Sequence, residues 1–326
     1  MNRWRELETR LQQVEADILK MERLLQSPSI SEERRVTLRT RVDELKQRQE
    51  QVTREVFATL SPWDNVLLAR HQERPDTLDY ISAIFDDFIE LHGDRRFGDD
   101  PAVVAGLATL DNRTYAIIGH QKGRDVKERQ FRNFGSAKPE GYRKSARIMK
   151  MAEKIGFPVL SFVDTPAAES RLDAEMRGIS NAIAENMELM SCLRTPIVVT
   201  IIGEGGSGGA IGMAVGDHVM MLEHSIYSVI PPESCAVILT TFGRDPSRAP
   251  EAAEALRLTA SETMKLRAVD EVIPEPLGGA HRDPAAATVN VKRAILHAVT
   301  RLQSIPIDTL VRNRYQKIRS IGHFHA

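Results

Sequence analysis

Between residues 195 and 217 the chain reads "TPIVVTIIGEGGSGGAIGMAVGD". An apolar, β-branched run passes straight into a segment where Gly203, Gly205, Gly206, Gly208 and Gly209 fall within seven positions. The run lacks polar alternation, which predicts a strand buried on both faces, as in the interior of a parallel sheet. Parallel neighbours need helical crossovers, so an α/β layer architecture follows. Glycines at the end of such a strand bare the backbone to whatever lies above it.

The same alternation continues along most of the chain. "AVVAGLATL" and "TYAIIGHQ" flank Asp111-Asn112-Arg113 and predict a β-hairpin. "EGYRKSARIMKMAEKIG" predicts a helix stopped at Gly156, "PVLSFVD" a buried strand, and residues 172–194 one long helix. "DHVMMLEHSIYSVI" supplies one or two strands, "APEAAEALRLTA" and "SETMKLRAVD" two helices, and "EVIPE" a short strand before a helical C-terminal stretch. "TLDYISAIFDDFIELHGD", residues 77–94, reads as one helix ending at Gly93.

The first segment has another texture. Leu7, Leu11, Val14, Ile18, Met21 and Leu25 are spaced alternately four and three apart, a heptad seam. "SPS" at 27–29 breaks it, and Leu38, Val42, Leu45, Val52 and Val56 resume it with Gln49 as the polar gap. Two such helices predict an antiparallel hairpin. Its stripe either packs on its own domain or meets a partner chain. The expected organisation is a helical hairpin over 1–58 and a main domain over 59–326.

Composition narrows the classes. The formal net charge is −1, which gives no reason to expect nucleic acid or an acidic membrane surface. Two cysteines, Cys192 and Cys235, exclude a disulfide framework or a multi-cysteine zinc ribbon within this sequence. No run approaches the roughly 20 apolar residues of a membrane span, and "MNRWRELETR" is not a signal peptide. The chain reads as cytoplasmic. His120 and His281 have no partner at metal-ligand spacing, so no metal is expected.

The glycine loop has three readings. "GEGGSGG" contains G-x-G-x-x-G, but no Lys-Ser/Thr follows and it lies far from a first βαβ unit. Glycines also permit close packing of a helix on a strand. The third reading is an oxyanion hole of paired backbone N–H groups, which needs no side chain. Ser207 has no His–Asp partners indicated by sequence. Lys122, Arg124, Lys127, Arg129 and Arg132 form a basic stretch, read either as a solvated face or as a contact for a phosphate group or a subunit. Glu204 is read as structural.

"GEGGSGGA" followed by "VGDHVMMLEHSIYSVIPPE" and "VDEVIPEPLGGAHRDP" resembles the α subunit of bacterial acetyl-CoA carboxylase carboxyltransferase. "LHGDRRFGDDPAVVAGLA", "GHQKGRDVKERQFRNFG" and "PEGYRKSARIMKMAEKIGFPVLSFVDTP" match the same family in order. The resemblance implies a crotonase/ClpP-like spiral of ββα units. It also implies carboxyl transfer from carboxybiotin, held on a biotin carboxyl carrier protein, to a CoA thioester, giving malonyl-CoA for fatty-acid synthesis. Biotin, once decarboxylated, would serve as the base, which explains a loop without catalytic side chains.

By the same resemblance, Gly205 and Gly206 would hold the biotin ureido oxygen. Gly203, Gly208, Gly209, Ala167 and Ala168 would line the cavity. A separate β subunit would supply the thioester half-site and the zinc, in an α2β2 assembly recharged by biotin carboxylase. A branched side chain at Gly206 is expected to obstruct the ligand and to demand a backbone conformation that only glycine tolerates. One departure stands out: where the family reads Gly-Ala-Tyr-Pro-Gly, this chain has Ala167-Ala168-Glu169-Ser170-Arg171. Glu169 and Arg171 are expected to pair with each other or face solvent, leaving the cavity usable. The rival readings are a carboxyltransferase for another acyl-CoA and a scaffold subunit without turnover.

Overall fold

The computed structural model describes residues 3–27 and 30–322. Pro28 and Ser29, in the expected helix break, and the side chain of Leu7 lie outside the described residues. Helices α1 (Arg3–Leu25) and α2 (Glu32–Phe57) form the hairpin. Ile18, Val42 and Leu45 bury one another, with Val14, Met21 and Leu25 packed against them. At the other end Leu11 packs on Leu68 of α3 (Pro62–Ala69). Gln49 donates to Glu15 at 2.8 Å, and Glu15 also pairs with Arg282 of the main body. The buried seam residues are therefore spent inside the hairpin and on its base.

Capping boxes open α3 and α4 (Thr77–Ile84): Ser61 with Asp64, and Asp76 with Asp79, satisfy the first free N–H groups. Helix α4 stops at Ile84, and β1 (Asp87–Glu90) follows, so the single helix expected over 77–94 is wrong in its second half. The reason is tertiary. β1 pairs antiparallel with β2 (Val103–Leu110), and the Ile89 carbonyl lies 2.1 Å from where a Cβ on Gly106 would stand. Glycine at 106 is what admits this edge strand.

β2 and β3 (Arg113–His120) make the expected hairpin, with Asp111 and Asn112 left-handed at φ 51° and 60°, as a tight two-residue turn requires. After α5 (Val126–Phe131) come α6 (Pro139–Ile155), ended by left-handed Gly156, and β4 (Val159–Thr165). The helix expected over 172–194 is two: α7 (Leu172–Met176) and α8 (Ile179–Cys192). Gly178 at φ 78° breaks it. Arg177 holds the break, its guanidinium on Glu140 at 2.8 Å and its carbonyl accepting from Arg143 at 2.6 Å.

β5 (Ile197–Gly206) runs through the first part of the glycine loop before α9 (Ser207–Ile211). Then follow β6 (His218–Leu222), β7 (Ile226–Ser228), α10 (Pro232–Ile238), α11 (Ala249–Ala255), α12 (Ala260–Lys265), β8 (Glu271–Ile273), α13 (Pro284–Gln303) and α14 (Ile307–Arg319). The sheet order is β1-β2-β3-β4-β5-β6-β8, with β7 paired to β5; from β3 onward the pairs are parallel.

Alternation along the strands divides the core. Val159, Val163, Ile197, Val199 and Ile201 pack with α6 and α8 residues such as Ile148, Met149 and Met190. Leu160, Phe162, Val198 and Ile202 pack on the other face with Tyr80, Ile295 and Val299. Both sheet faces are therefore covered, as a continuous apolar strand requires. Among the described residues no helix is long and apolar enough to cross a membrane.

Candidate active site

The carboxyl ends of β3, β4 and β5 converge, and in open parallel sheets that edge is where ligands bind. β4 ends in Asp164-Thr165, with Pro166 next, and β5 ends in Glu204-Gly205-Gly206. The two segments touch through backbone. A Cβ on Gly206 would lie 1.9 Å from the Pro166 carbonyl oxygen, and one on Gly209 would lie 2.6 Å from Ala167 C and Ala168 N. A Cβ on Gly203 would meet Asp164 Oδ1 at 2.4 Å, and one on Gly205 would meet Tyr227 at 2.8 Å. Gly208 has ordinary room, its nearest neighbour being Ile183 at 3.6 Å. The loop is thus packed, and it also opens on a small cleft lined by Arg70, Pro166, Gly205, Gly206, Ser228 and Ile230.

Gly206 does not adopt the glycine-only conformation expected of it. Gly206 has φ −98° and ψ 120°, ordinary extended backbone. Glycine is required there by the Pro166 carbonyl, not by a forbidden conformation, and a Cβ would point at that carbonyl. The left-handed residue is Ser207 at φ 50°, where strand turns into helix. Tyr142 braces the turn from beneath, its hydroxyl donating to the Gly209 carbonyl at 3.1 Å.

A charged lattice fixes the strand end. Lys122 reaches Asp164 at 2.7 Å and Glu204 at 2.6 Å, while Arg70 reaches Glu204 at 2.6 Å and also pairs with Glu233. The Glu204 N–H donates to Asp164 at 2.8 Å. Burial alone would push the Glu204 carboxyl up, but Lys122 and Arg70 outweigh it and hold the pKa below the usual range. The Glu204 carboxylate is committed to ion pairs at the strand end, the arrangement a structural role requires. Lys122 belongs to neither alternative for the basic stretch: it is drawn inside. Of the others, Arg124 pairs with Asp79, and Arg132 donates to the Pro101 carbonyl at 3.0 Å.

Behind the lattice, Arg74 donates to the Ile202 carbonyl at 2.6 Å and pairs with Glu275 at 2.5 Å. Burial works against the Glu275 charge, yet Arg74 prevails and holds the carboxyl at about 2. That lies below its unfolded value of about 4.3. The pair's contribution to stability is therefore complete above the unfolded value and lost as pH falls toward about 2. Urea unfolding followed from pH 6 to pH 2 should show this loss, and Glu275→Gln should flatten it; an unchanged acid slope in that variant would contradict the assignment.

At the departure from the family pattern, Glu169 is buried and pairs with Arg171 at 2.6 Å. The expected pairing is present. The Arg171 hydrogen bonds lower the Glu169 carboxyl to about 2. His120 sits buried at the end of β3, where burial and then the Lys122 charge push it down to about 3. His281 stacks on His71 with ring centroids 4.0 Å apart, at the base of the hairpin. Sequence reasoning missed Arg70, Lys122 and Asp164 as members of one lattice. An aspartate closing an apolar strand was the available signal for Asp164; none existed for Arg70, which lies 134 residues from Glu204.

Solved structures place this architecture. It resembles a chain of transcarboxylase 12S, with TM-score 0.59 and 17% identity, over 73% of this chain and 43% of that one. It also resembles a chain of a Pseudomonas malonate decarboxylase hetero-dimer, with TM-score 0.52 and 17% identity, over 69% of this chain and 89% of that one. The fold is that of the crotonase-like carboxyltransferases.

The family described as acetyl co-enzyme A carboxylase carboxyltransferase-like matches residues 5–322, and the chain belongs to it. Relatives named acetyl-coenzyme A carboxylase carboxyl transferase subunit alpha include one from Geobacter metallireducens, 50% identical over 289 residues, covering 89% of this chain and 90% of the relative. Another, from Fusobacterium nucleatum, is 49% identical over 295 residues, covering 90% and 93% respectively.

Proposed function

We propose that this chain is the α half of a two-subunit carboxyltransferase. It would act in the cytoplasm, moving a carboxyl group from biotin on a separate carrier protein to acetyl-CoA and supplying malonyl-CoA for fatty-acid synthesis. The observation that carries this reading is the backbone contact between Gly206–Gly209 and Pro166–Ala168 at the strand ends. A nearly neutral bicycle suits that edge, because Glu204 and Glu169, the carboxylates beside it, are both turned into ion pairs. When bound, biotin supplies the transferable carboxyl group and the base for the acetyl α-proton.

The chain's own part is positioning and electrostatics. The N–H groups of Gly205 and Gly206 stabilise negative charge on the ureido oxygen, where one such donor contributes about 3 kcal/mol of barrier. Gly203, Gly208, Gly209, Ala167 and Ala168 shape the cavity. Gly205 and Gly206 lie within the sheet, with Glu204–Gly206 paired to Ile226–Ser228 on one side and Gly205 to Thr165 on the other, so their N–H groups would be shared between the ladder and the ligand. Lys122 and Arg70 anchor the strand end from below.

The thioester half-site and the zinc belong to a β subunit in an α2β2 complex, and biotin carboxylase recharges the carrier. Exposed apolar side chains support such a partner: Val229, between the cleft residues Ser228 and Ile230, Leu172 and Met176 on α7, and Phe134 in the turn whose Gly135 lies against Asp164. The test uses malonyl-CoA and biocytin. The purified chain alone should transfer no carboxyl group, and addition of β should restore transfer. Steady turnover by the isolated chain, verified free of β, would sink the proposal.

A further inference from the structure

Glu169 is satisfied far beyond a simple ion pair. Its Oε1 accepts from the N–H of Ser170 at 2.8 Å and of Arg171 at 2.9 Å. Its Oε2 accepts from Asn133 Nδ2 at 2.8 Å and from Arg171 Nε and Nη2 at 2.9 and 2.6 Å. Arg171 closes the ring by donating to Asn133 Oδ1 at 3.1 Å, and the Glu169 N–H donates to the Ala137 carbonyl at 2.9 Å.

What this carboxylate holds is a strained turn. Asn133 and Phe134 are consecutive left-handed residues at φ 47° and 54°, followed by Gly135 at φ 78°. L-residues adopt that region at a cost, and two in succession persist only when the surroundings impose them. Asn133 also donates to the Ser136 carbonyl at 2.7 Å. The turn lies against the lattice: a Cβ on Gly135 would stand 2.9 Å from the Asp164 carbonyl and 2.7 Å from Lys122 Cγ. Glu169 thus joins the 133–135 turn to the same loop whose residues 166–168 press on Gly206 and Gly209.

We propose that Glu169 is a positioning residue for the biotin side of the reaction. Its clasp with Asn133 and Arg171 holds the Pro166–Ala168 backbone in place and so fixes the opening in front of Gly205 and Gly206. This rests on the carboxyl-transfer reading for its kinetic consequence, but not for the clasp itself. Loss of the charge removes the link between the left-handed turn and the 166–171 loop and lets the loop relax, which changes the fit of biotin and leaves the CoA side alone.

The test compares Glu169→Gln and Asn133→Gly in the reconstituted α/β complex; the second variant keeps the left-handed backbone and removes only the amide. Biocytin and malonyl-CoA are varied independently. Glu169→Gln should raise KM for biocytin by at least ~10-fold, about 1.4 kcal/mol. Asn133→Gly should raise it severalfold, with KM for malonyl-CoA within twofold and complex mass and melting temperature near wild type. Hydrogen exchange on the same complexes supplies a readout independent of turnover: amides of 133–137 and 166–171 should exchange at least ~10-fold faster in Glu169→Gln while 197–203 stay unchanged. An inert wild-type pair would overturn the carboxyl-transfer reading, and exchange would still decide the clasp. Unchanged exchange at both segments, or a rise in both KM values together with a lowered melting temperature, would overturn the proposal.

Discussion

Gly206→Val is expected to lower kcat of the α/β pair by at least ~100-fold, with assembly intact. The new Cβ would stand 1.9 Å from the Pro166 carbonyl oxygen and 2.4 Å from its carbon. Both are backbone atoms, so no rotamer change relieves the clash. Either the β4–α7 loop moves away or β5 withdraws, and each response displaces the Gly205–Gly206 N–H groups from the ligand. Since φ at Gly206 is −98°, valine pays no conformational penalty of its own, and Gly206→Ala should show most of the same loss. Steady-state kinetics of both variants against wild type, with complex mass measured in parallel, checks this. Near-normal turnover in Gly206→Val would show that the loop is packing alone.

Lys122→Met carries the second large effect, on stability. Lys122 bridges Asp164 and Glu204, and in its absence Arg70 alone, among the described residues, remains paired with Glu204. Burial opposes the lysine charge, but the two carboxylates more than compensate and raise its pKa, so the bridge is ionic throughout the neutral range. Removing one partner from a buried ion pair typically costs about 3–5 kcal/mol, because the surviving charge is stranded. Denaturant unfolding should show a loss of that size, and Lys122→Met with Glu204→Gln should recover part of it through coupling. A double variant no more stable than the single would contradict the lattice as drawn.

The parts of this molecule that were legible in its sequence are those fixed by local rules. The β-branched run at 197–202, apolar but for Thr200, predicts an interior strand, and it is buried throughout. Gly156 stops its helix, and the Asp111-Asn112 turn closes its hairpin, because those backbone conformations depend on one or two residues. The strand at 87–90 was illegible for the opposite reason. Its extended form depends on pairing with β2 and on the space left by Gly106, neither of which is written in residues 77–94. The break at Gly178 was hidden in a helical periodicity and is held by Glu140 and Arg143 from another helix.

The candidate site divides in the same way. Its glycines announce a backbone surface, and the family pattern points to Gly205 and Gly206. The lattice beneath them joins Arg70, Lys122, Asp164, Glu204 and Glu233, brought together from distant parts of the chain by the fold alone. The role of Gly206 was half legible: the need for glycine was visible, and the obstacle, a carbonyl from the neighbouring strand's loop, was not.

Label transfer tests the central claim most directly. A carrier protein bearing isotopically labelled carboxybiotin is mixed with the reconstituted α/β pair and acetyl-CoA, and malonyl-CoA is isolated. The label should be recovered in malonyl-CoA and be absent when either subunit is omitted, and Gly206→Val should lower the initial transfer rate by the same factor as its kcat. Release of the label as bicarbonate without labelled malonyl-CoA, or no reaction at all from the assembled wild-type pair, would contradict the claim.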